Sequence, residues 1–331
     1  MKRHLNTLFV TTQDTWLSKE GECVELRLAG KTLGKIPLHT LQSIACFGRI
    51  SCSQYLLEHC ARLGVLVTWF TEYGRFMAAM HGPTTGNVLL RRAQYRLADS
   101  SEASSELARF FIVGKIANCR TVLLRQARKT GEPALETTAE KLGMILRRLA
   151  APHGLETLRG LEGDAAHLYF GVFHLLVKNE FRDAMHFAGR SRKPPRDEVN
   201  CLLSFFYSLL ANDIRSALEG VGLDPAVGFL HRERPGRPSL ALDVMEEFRP
   251  YLADRLALTL VNRQQIAASD FIRTEARKTV LTAWQERKRE EVEHPFLKEK
   301  MTVGMLCHMQ ARLLARYIRG DMDAYPPFSM R

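Results

Sequence analysis

The chain has 331 residues, of which 46% are hydrophobic, so it can bury a substantial core and does not have the composition of a disordered protein. Lys and Arg number 47 against 36 Asp and Glu, and the resulting net charge of +11 favours a polyanionic partner. No apolar run approaches the length of a membrane-spanning helix, and the first residues, MKRHLNTLFVTTQDTW, lack a signal-peptide pattern, so we expect a cytoplasmic protein without a membrane partner.

The N-terminal part has the pattern of a small β-rich domain. Between residues 6 and 41, apolar and polar residues alternate in short runs that are separated by glycine turns. Residues 51–63 change to helical spacing, and two apolar runs, VLVTWF and EYGRFMAAM, then predict further strands. We therefore predict a β-rich, sandwich-like domain over residues 1–82.

The rest of the chain has helical periodicity. Residues 83–104 mix Gly, Pro, Ser and Thr with basic residues, which predicts a linker and the entry to a helix. Helices are then predicted over 106–129, 134–149, 165–179, 199–218 and 239–261, with two more segments after Ile266. The final DAYPPFSMR predicts a surface tail. The predicted fold class is α+β, with the small β-rich domain followed by a larger all-helical domain over residues 105–331.

The densest cluster of reactive side chains lies in the stretch GFLHRERPGRPSLALDVMEEFRP, residues 228–250. A Pro-Gly break after His231, followed by Ser239 at an expected N-cap, predicts a loop that brings the histidine to the start of a helix. On that helix, Asp243 has Glu246 and Glu247 three and four residues further on, which predicts carboxylates on one face within reach of a common cation. The other interpretation of Asp243 is a surface ion pair with Arg237 or Arg249.

A further carboxylate lies upstream in the stretch GLEGDAAHLYF. Glu162 follows a turn that contains glycine and precedes a long apolar run, so we expect it at the mouth of a buried helix that begins near Ala165. Taken alone, Glu162 is more typical of an acid near a helix start that interacts with the helix dipole. Together with His231 and an acid from the later helix it gives a mixed oxygen and nitrogen set that suits Mg²⁺ or Mn²⁺.

A basic loop lies between these two stretches. Two prolines interrupt this cationic run, which then enters an apolar helix, and the pattern allows either a solvated loop or a surface that contacts DNA phosphates. The residues predicted to contact DNA are Arg190, Arg192, Lys193, Arg196, Asn200 and Arg237.

The three stretches, GLEGDAAHLYF, RSRKPPRDEVNCLLSFFYSLL and GFLHRERPGRPSLALDVMEEFRP, occur in an order and at separations that resemble the CRISPR-associated spacer integrases of the Cas-one family, of a class 1 (type I) system. The resemblance implies that Glu162, His231 and Glu246 are the catalytic and metal-binding residues. Asp243 and Glu247 would then lie beside the metal site, and the choice between Glu246 and Glu247 as the third ligand stays open.

The resemblance also implies a reaction and a set of partners. The expected reaction is attack by the 3′ hydroxyl ends of a short foreign DNA fragment on a CRISPR repeat, which inserts the fragment as a new spacer. The expected assembly is a homodimer formed largely through the N-terminal domains, with two such dimers bridged by the small Cas-two partner protein. Two alternatives stay open at this point: a metal-dependent nuclease acting on branched or single-stranded DNA, and a basic DNA-binding scaffold without catalytic activity.

Overall fold

A computed structural model describes residues 6–71, 76–80, 88–182, 185, 187–191, 194–266 and 274–330. The chain divides into two compact units, Met1–Asn87 and Val88–Arg331. The division lies within the segment 83–104, where the sequence predicts a linker and helix entry. A helix over Val88–Asp99 occupies much of that segment and belongs to the second unit.

The first unit contains two four-stranded sheets. The strands are β1 (Asn6–Val10), β2 (Trp16–Glu20), β3 (Cys23–Leu28), β4 (Lys31–Pro37), β5 (Leu41–Phe47), β6 (Ser51–Cys52), β7 (Leu66–Phe70) and β8 (Phe76–Met80), and the helix α1 covers Gln54–Leu63. One sheet has the order β1-β5-β7-β8 and the other β4-β3-β2-β6. The first sheet is parallel except at β7–β8, and the second is antiparallel except at β2–β6.

One apolar core joins the two sheets and α1. Leu17 and Val24 from one sheet, Ile44 and Val67 from the other, and Leu56 from α1 are all fully buried in the same cluster. The period-2 alternation in these strands places their apolar residues on the inner faces. The predicted β-rich, sandwich-like domain is confirmed.

The second unit is mostly helical. Its helices are α2 (Val88–Asp99), α3 (Ser101–Thr130), α4 (Pro133–Arg148), α5 (Leu155–Gly171), α6 (Glu198–Val221), α7 (Ser239–Phe248), α8 (Arg255–Asn262), α9 (Thr274–Arg289) and α10 (Val303–Arg319). Short 3₁₀ turns cover Phe173–Leu176 and Asn179–Phe181, and a short hairpin of β9 (Glu291–Glu293) and β10 (Lys300–Thr302) separates α9 from α10. The helical character is as predicted, and the hairpin is a departure from an all-helical domain. In the described part of the chain, no helix is both long and apolar enough to cross a bilayer.

The helix that carries Glu162 begins earlier than the sequence predicts. Helix α5 starts at Leu155, so Glu162 lies in its middle and not at the mouth of a helix that begins near Ala165. Gly160 and Gly163 lie within the helix, although glycine has a low helix propensity. Leu158, Leu161, Ala165 and Tyr169 bury one face of α5, and we infer that this packing outweighs the weak propensity of the glycines.

The predicted helix over 239–261 has two corrections. Ser239 is its first helical residue, and Pro238 occupies the cap position without a side-chain hydrogen bond. The Ser239 hydroxyl donates to the carbonyl oxygen of Arg232 at 3.2 Å. A π-helical segment over Arg249–Asp254 then separates α7 from α8. This segment contains Pro250, which has no N–H to donate to an α-helical hydrogen bond.

The predicted surface tail is also wrong. Tyr325 and Phe328 are buried at 1% and 0% exposure. The Phe328 ring stacks on Phe248 of α7 with centroids 4.6 Å apart, and Asn118 of α3 donates to the carbonyl oxygen of Phe328 at 2.9 Å. The C-terminal segment, residues 325–330, therefore packs against α3 and α7.

Candidate active site on helices α3, α5 and α7

The loop that carries His231 is held by one carboxylate of α7. Asp243 is fully buried, and its Oδ2 accepts from the backbone N–H groups of Phe229 at 2.6 Å and Leu230 at 2.9 Å. Its Oδ1 accepts from the backbone N–H of His231 at 2.9 Å and lies 2.6 Å from Nδ1 of the same residue. A carboxylate accepts hydrogen bonds, so Nδ1 carries the proton and Nε2 is the nitrogen available to a ligand.

Two other residues fix the path of this loop. A Cβ at Gly228 would lie 2.8 Å from the carbonyl carbon of Ser239 and 2.9 Å from Oδ2 of Asp243, so only glycine permits this close approach to α7. Arg159 of α5 donates from Nε and Nη2 to the carbonyl oxygen of Leu230, at 3.1 and 2.7 Å. The backbone N–H and the carbonyl oxygen of Leu230, the residue before His231, are therefore both held by hydrogen bonds.

Glu162 of α5 and Glu246 of α7 meet at one cation. The ammonium group of Lys115, on α3, forms ion pairs with Oε1 of Glu162 and with Oε2 of Glu246, the latter at 2.8 Å. The side chains of Lys115 and Glu246 are 7% and 3% exposed, whereas that of Glu162 is 26% exposed. Carboxylates from α5 and α7 therefore meet at one ammonium group, and Glu162 is the member of this cluster that solvent reaches.

A second cation, Arg249 at the start of the π-helical segment, supports Glu246. Nη1 of Arg249 lies 2.6 Å from Oε1 of Glu246, so each carboxylate oxygen faces one positive charge. Burial opposes ionisation of Glu246, but the charges of Arg249 and Lys115 outweigh it and lower the pKa of Glu246 to about 2. Glu246 is therefore an ionised, buried carboxylate with compensated charge.

Glu247 lies apart from this cluster. Its carboxylate accepts from the hydroxyl of Tyr325 at 2.7 Å, from the backbone N–H of Phe328 at 2.5 Å and from Gln310 at 3.2 Å. Burial raises the pKa of Glu247 to about 8, and these neutral donors offset only part of the increase.

The prediction that Asp243, Glu246 and Glu247 share a cation is therefore wrong. The three carboxylates contact different elements: Asp243 the loop of His231, Glu246 Lys115 of α3, and Glu247 the C-terminal segment. Helical spacing places such residues near one face but does not make their carboxylates converge. The surface ion pair considered for Asp243 does not form, because Asp243 is buried against His231 and Arg249 pairs with Glu246.

The basic loop before α6 is partly structural. Arg190 donates to Oδ1 of Asn200 at 2.7 Å and to the hydroxyl of Ser204 at 3.1 Å, and its guanidinium lies 5.1 Å from the ring centre of Tyr207. Asn200 has no exposed surface and donates to the carbonyl oxygen of Gly189 at 2.8 Å. As placed, Asn200 cannot contact DNA, since its amide is used to hold the loop.

The other predicted DNA contacts have different environments. Arg196 is exposed and Arg237 is half-buried, so both can be reached from solvent. Arg192 and Lys193 lie outside the residues that the structure describes.

The donor atoms around Lys115 fit a divalent metal. Within the described ranges, no three His, Cys, Asp or Glu side chains are arranged to hold a metal ion as they stand. Glu162 and Glu246 nevertheless both contact one cation, and His231 has Nε2 available with its ring orientation fixed by Asp243. Two carboxylates and one imidazole are ligands that Mg²⁺ and Mn²⁺ accept.

Sequence reasoning missed Lys115 altogether. Its signal is a single charged residue inside the apolar run FFIVGKIANC, which becomes the buried centre of α3. Lysine is almost never fully buried unless it is paired, so a lysine at such a position predicts buried acids nearby.

The whole chain is similar in sequence to known proteins. A family model described as CRISPR associated protein Cas1 matches residues 8–289. The chain is 56% identical to CRISPR-associated endonuclease Cas1 1 of Chlorobaculum tepidum, with 100% of both chains covered. It is 51% identical to CRISPR-associated endonuclease Cas1 2 of Rhodospirillum rubrum, with 99% of both covered.

Solved structures share the fold. A CAS1 protein from Thermotoga maritima superposes with a TM-score of 0.79 at 21% identity, covering 98% of this chain and 100% of the other. A chain of a Cas6-RT-Cas1–Cas2 complex gives a TM-score of 0.79 at 22% identity, covering 99% of this chain and 36% of the other.

Proposed function

The chain belongs to the Cas1 family of CRISPR-associated endonucleases, and we propose that Glu162, His231 and Glu246 form its reaction centre for DNA cleavage and strand transfer. The observation that carries the assignment is the convergence of Glu162 and Glu246 on one buried positive charge. Glu246 and not Glu247 is the acid from α7, because Glu247 is engaged by the C-terminal segment.

Each residue of this centre has a defined role. A Cas1 endonuclease uses a divalent metal, and here Glu162, Glu246 and Nε2 of His231 would hold Mg²⁺ or Mn²⁺. When bound, the ion would offset negative charge on the scissile phosphate and on the attacking and leaving oxygens. Asp243 keeps the proton of His231 on Nδ1, and Arg249 holds one oxygen of Glu246.

The proposed reaction on a CRISPR repeat is a transesterification. The oxygen of a DNA 3′ hydroxyl forms a new bond to phosphorus while the bond from phosphorus to the 3′ oxygen of the repeat strand breaks. The attacking hydroxyl loses its proton to solvent, and the departing oxygen takes one up. The number of phosphodiester bonds is unchanged, so the reaction needs no external energy source.

The proposed partners are DNA, a second copy of the chain and the small Cas2 protein. The net charge of +11 and the exposed Arg196 support contact with phosphates, which provide affinity without base recognition. A structure similar to this chain is part of a Cas1–Cas2 complex, which supports the choice of Cas2. The homodimer through the β-rich unit follows from the family resemblance.

A strand-transfer assay tests the proposal. A fluorescent short duplex with 3′ hydroxyl ends is incubated with a supercoiled plasmid that carries a repeat, with Mg²⁺ or Mn²⁺ and with or without Cas2. We expect joined product with the wild-type chain and none with His231→Ala or after chelation of the metal. His167→Ala is the matched control, because His167 is an exposed histidine of α5.

The products distinguish the remaining possibilities. Nicked plasmid without joined product would replace the integrase assignment by a nuclease that uses water as nucleophile. Full activity of His231→Ala would overturn the assignment of the reaction centre.

A further inference from the structure

The ammonium group of Lys115 pairs with both Glu162 and Glu246, the two carboxylates proposed above to bind the metal. We propose that Lys115 is a positioning residue that holds these two carboxylates together before the metal binds and is displaced from between them when it does. The proposal rests on the function proposed above, since it concerns the same carboxylates. It assigns Lys115 the role of an internal competitor of the metal ion.

The first argument is burial. Lys115 is 5% exposed and belongs to α3, where Phe111, Ile112 and Ile116 are fully buried around it. An ammonium group at such a position requires opposite charges, because burial without them is strongly unfavourable. Glu162 and Glu246 supply those charges.

The second argument is the local charge balance. Glu162 and Glu246 contribute two negative charges, and Lys115 and Arg249 contribute two positive charges, so the ion-pair cluster is neutral. Adding a divalent cation would leave two excess positive charges at close range in a partly buried site. Withdrawal of the Lys115 ammonium halves that excess and frees one oxygen of each carboxylate for the metal.

The third argument concerns which cation can leave. Arg249 is held on Oε1 of Glu246 at 2.6 Å, and its guanidinium also lies 4.6 Å from the ring centre of Tyr207. Lys115 instead has a flexible four-carbon stem, and its partner Glu162 is on the side of the cluster that solvent reaches. The geometry thus makes Lys115 the mobile cation and Arg249 the fixed one.

Metal affinity is the readout that tests this role without activity. Mn²⁺ is titrated into the full-length protein, and free Mn²⁺ is measured by electron paramagnetic resonance. We expect Lys115→Met to bind Mn²⁺ about tenfold more tightly than the wild type, because the competing charge is gone. Glu162→Gln should lose the site, which identifies the titrated Mn²⁺ as the ion at these carboxylates.

Lys288→Met is the matched control. Lys288 pairs with Asp213 at 2.8 Å, and both side chains are largely buried. Its replacement also removes a buried lysine ion pair, but away from the carboxylates of the site. We expect its Mn²⁺ affinity to equal that of the wild type, even if its melting temperature falls as much as that of Lys115→Met.

A crystal structure of the wild-type protein with Mn²⁺ provides a test that does not depend on a variant. We expect the anomalous peak of Mn²⁺ between Glu162 and Glu246, with Nζ of Lys115 no longer in contact with both carboxylates. Unchanged or weaker Mn²⁺ binding by a folded Lys115→Met variant, or a lysine that stays between the carboxylates beside bound Mn²⁺, overturns the proposal for Lys115 alone. Absence of Mn²⁺ binding in both the wild type and Lys115→Met overturns the metal site itself, and the Lys115 proposal with it.

Discussion

Glu246 and Glu247 are neighbours on α7 and are almost equally buried, at 2% and 0% exposure, but they have opposite electrostatic surroundings. Glu246 faces Lys115 and Arg249, and its pKa is lowered to about 2 despite its burial. Burial raises the pKa of Glu247 to about 8, because only neutral groups donate to it. The kind of neighbour, and not the depth of burial, decides which acid is ionised at neutral pH.

The comparison predicts the largest effect for an isosteric pair of variants. Glu246→Gln removes a charged ligand, so we expect strand transfer to fall at least a thousandfold, equivalent to about 4 kcal/mol. Glu247→Gln resembles the protonated acid that is already present at neutral pH, so its activity should stay within about threefold of the wild type. Both are measured in the strand-transfer assay with Mn²⁺.

Equal losses of strand-transfer activity in the two variants would contradict the assignment of Glu246, and not Glu247, as the metal ligand from α7. Loss only in Glu247→Gln would transfer the role of third ligand to Glu247. Melting temperatures measured alongside separate a loss of chemistry from a loss of fold.

The contact of α7 with the C-terminal segment predicts an effect on stability. Phe328 is fully buried, stacks on Phe248 and donates its backbone N–H to Glu247. We expect Phe328→Ala to lower the free energy of unfolding by about 3 to 4 kcal/mol, since the lost aromatic ring leaves a cavity. Urea unfolding followed by circular dichroism measures the change.

Phe296→Ala is the matched control, because Phe296 is 51% exposed. It should change the free energy of unfolding by less than about 0.5 kcal/mol. If Phe328→Ala changed it as little, the C-terminal segment would be the surface tail that the sequence alone predicts.

The features around α7 differ in how closely the sequence predicts them: local features are predicted well and long-range contacts are not. The loop that carries His231 and the start of α7 depend on local signals, the Pro-Gly break and the apolar period, and they were predicted closely. The contact of Lys115 with Glu162 joins residues 47 positions apart, and that of Glu247 with Phe328 joins residues 81 apart. No local pattern encodes such separations, so these contacts required the structure.

The errors have the same origin. Gly160 and Gly163 have low helix propensity, which misled the prediction of where α5 begins, whereas burial of Leu161 and Ala165 decides it. The final segment has no periodicity, and its two buried aromatic residues are recognisable only from the groove that they fill. The sequence thus predicted the fold class, the β-rich unit and most helices, but not the charge partners that distinguish one acid of α7 from the next.

A third buried acid extends the comparison and predicts the smallest effect. Asp254 accepts from the hydroxyl of Tyr207 at 2.7 Å and is 1% exposed. Burial raises its pKa to about 6, while the hydrogen bond from Tyr207 and the charge of Arg249 offset part of the increase. Asp254 is thus intermediate between Glu246, which has two close cations, and Glu247, which has only neutral donors.

The sign of the pH dependence follows from that raised pKa. Between the ordinary pKa of an aspartate, about 3.8, and the folded value of about 6, the folded state binds more protons than the unfolded state. Stability contributed by Asp254 therefore falls as the pH rises through this window and levels off above it.

Asp254→Asn keeps an oxygen to accept from Tyr207 but cannot ionise. From about pH 5 to 7.5, the wild type should lose roughly 1 kcal/mol of unfolding free energy relative to Asp254→Asn. Urea unfolding of both proteins across this range measures the difference. A difference that is independent of pH would show that Asp254 stays ionised throughout, as Glu246 does, and that the charge of Arg249 outweighs burial at Asp254 as well as at Glu246.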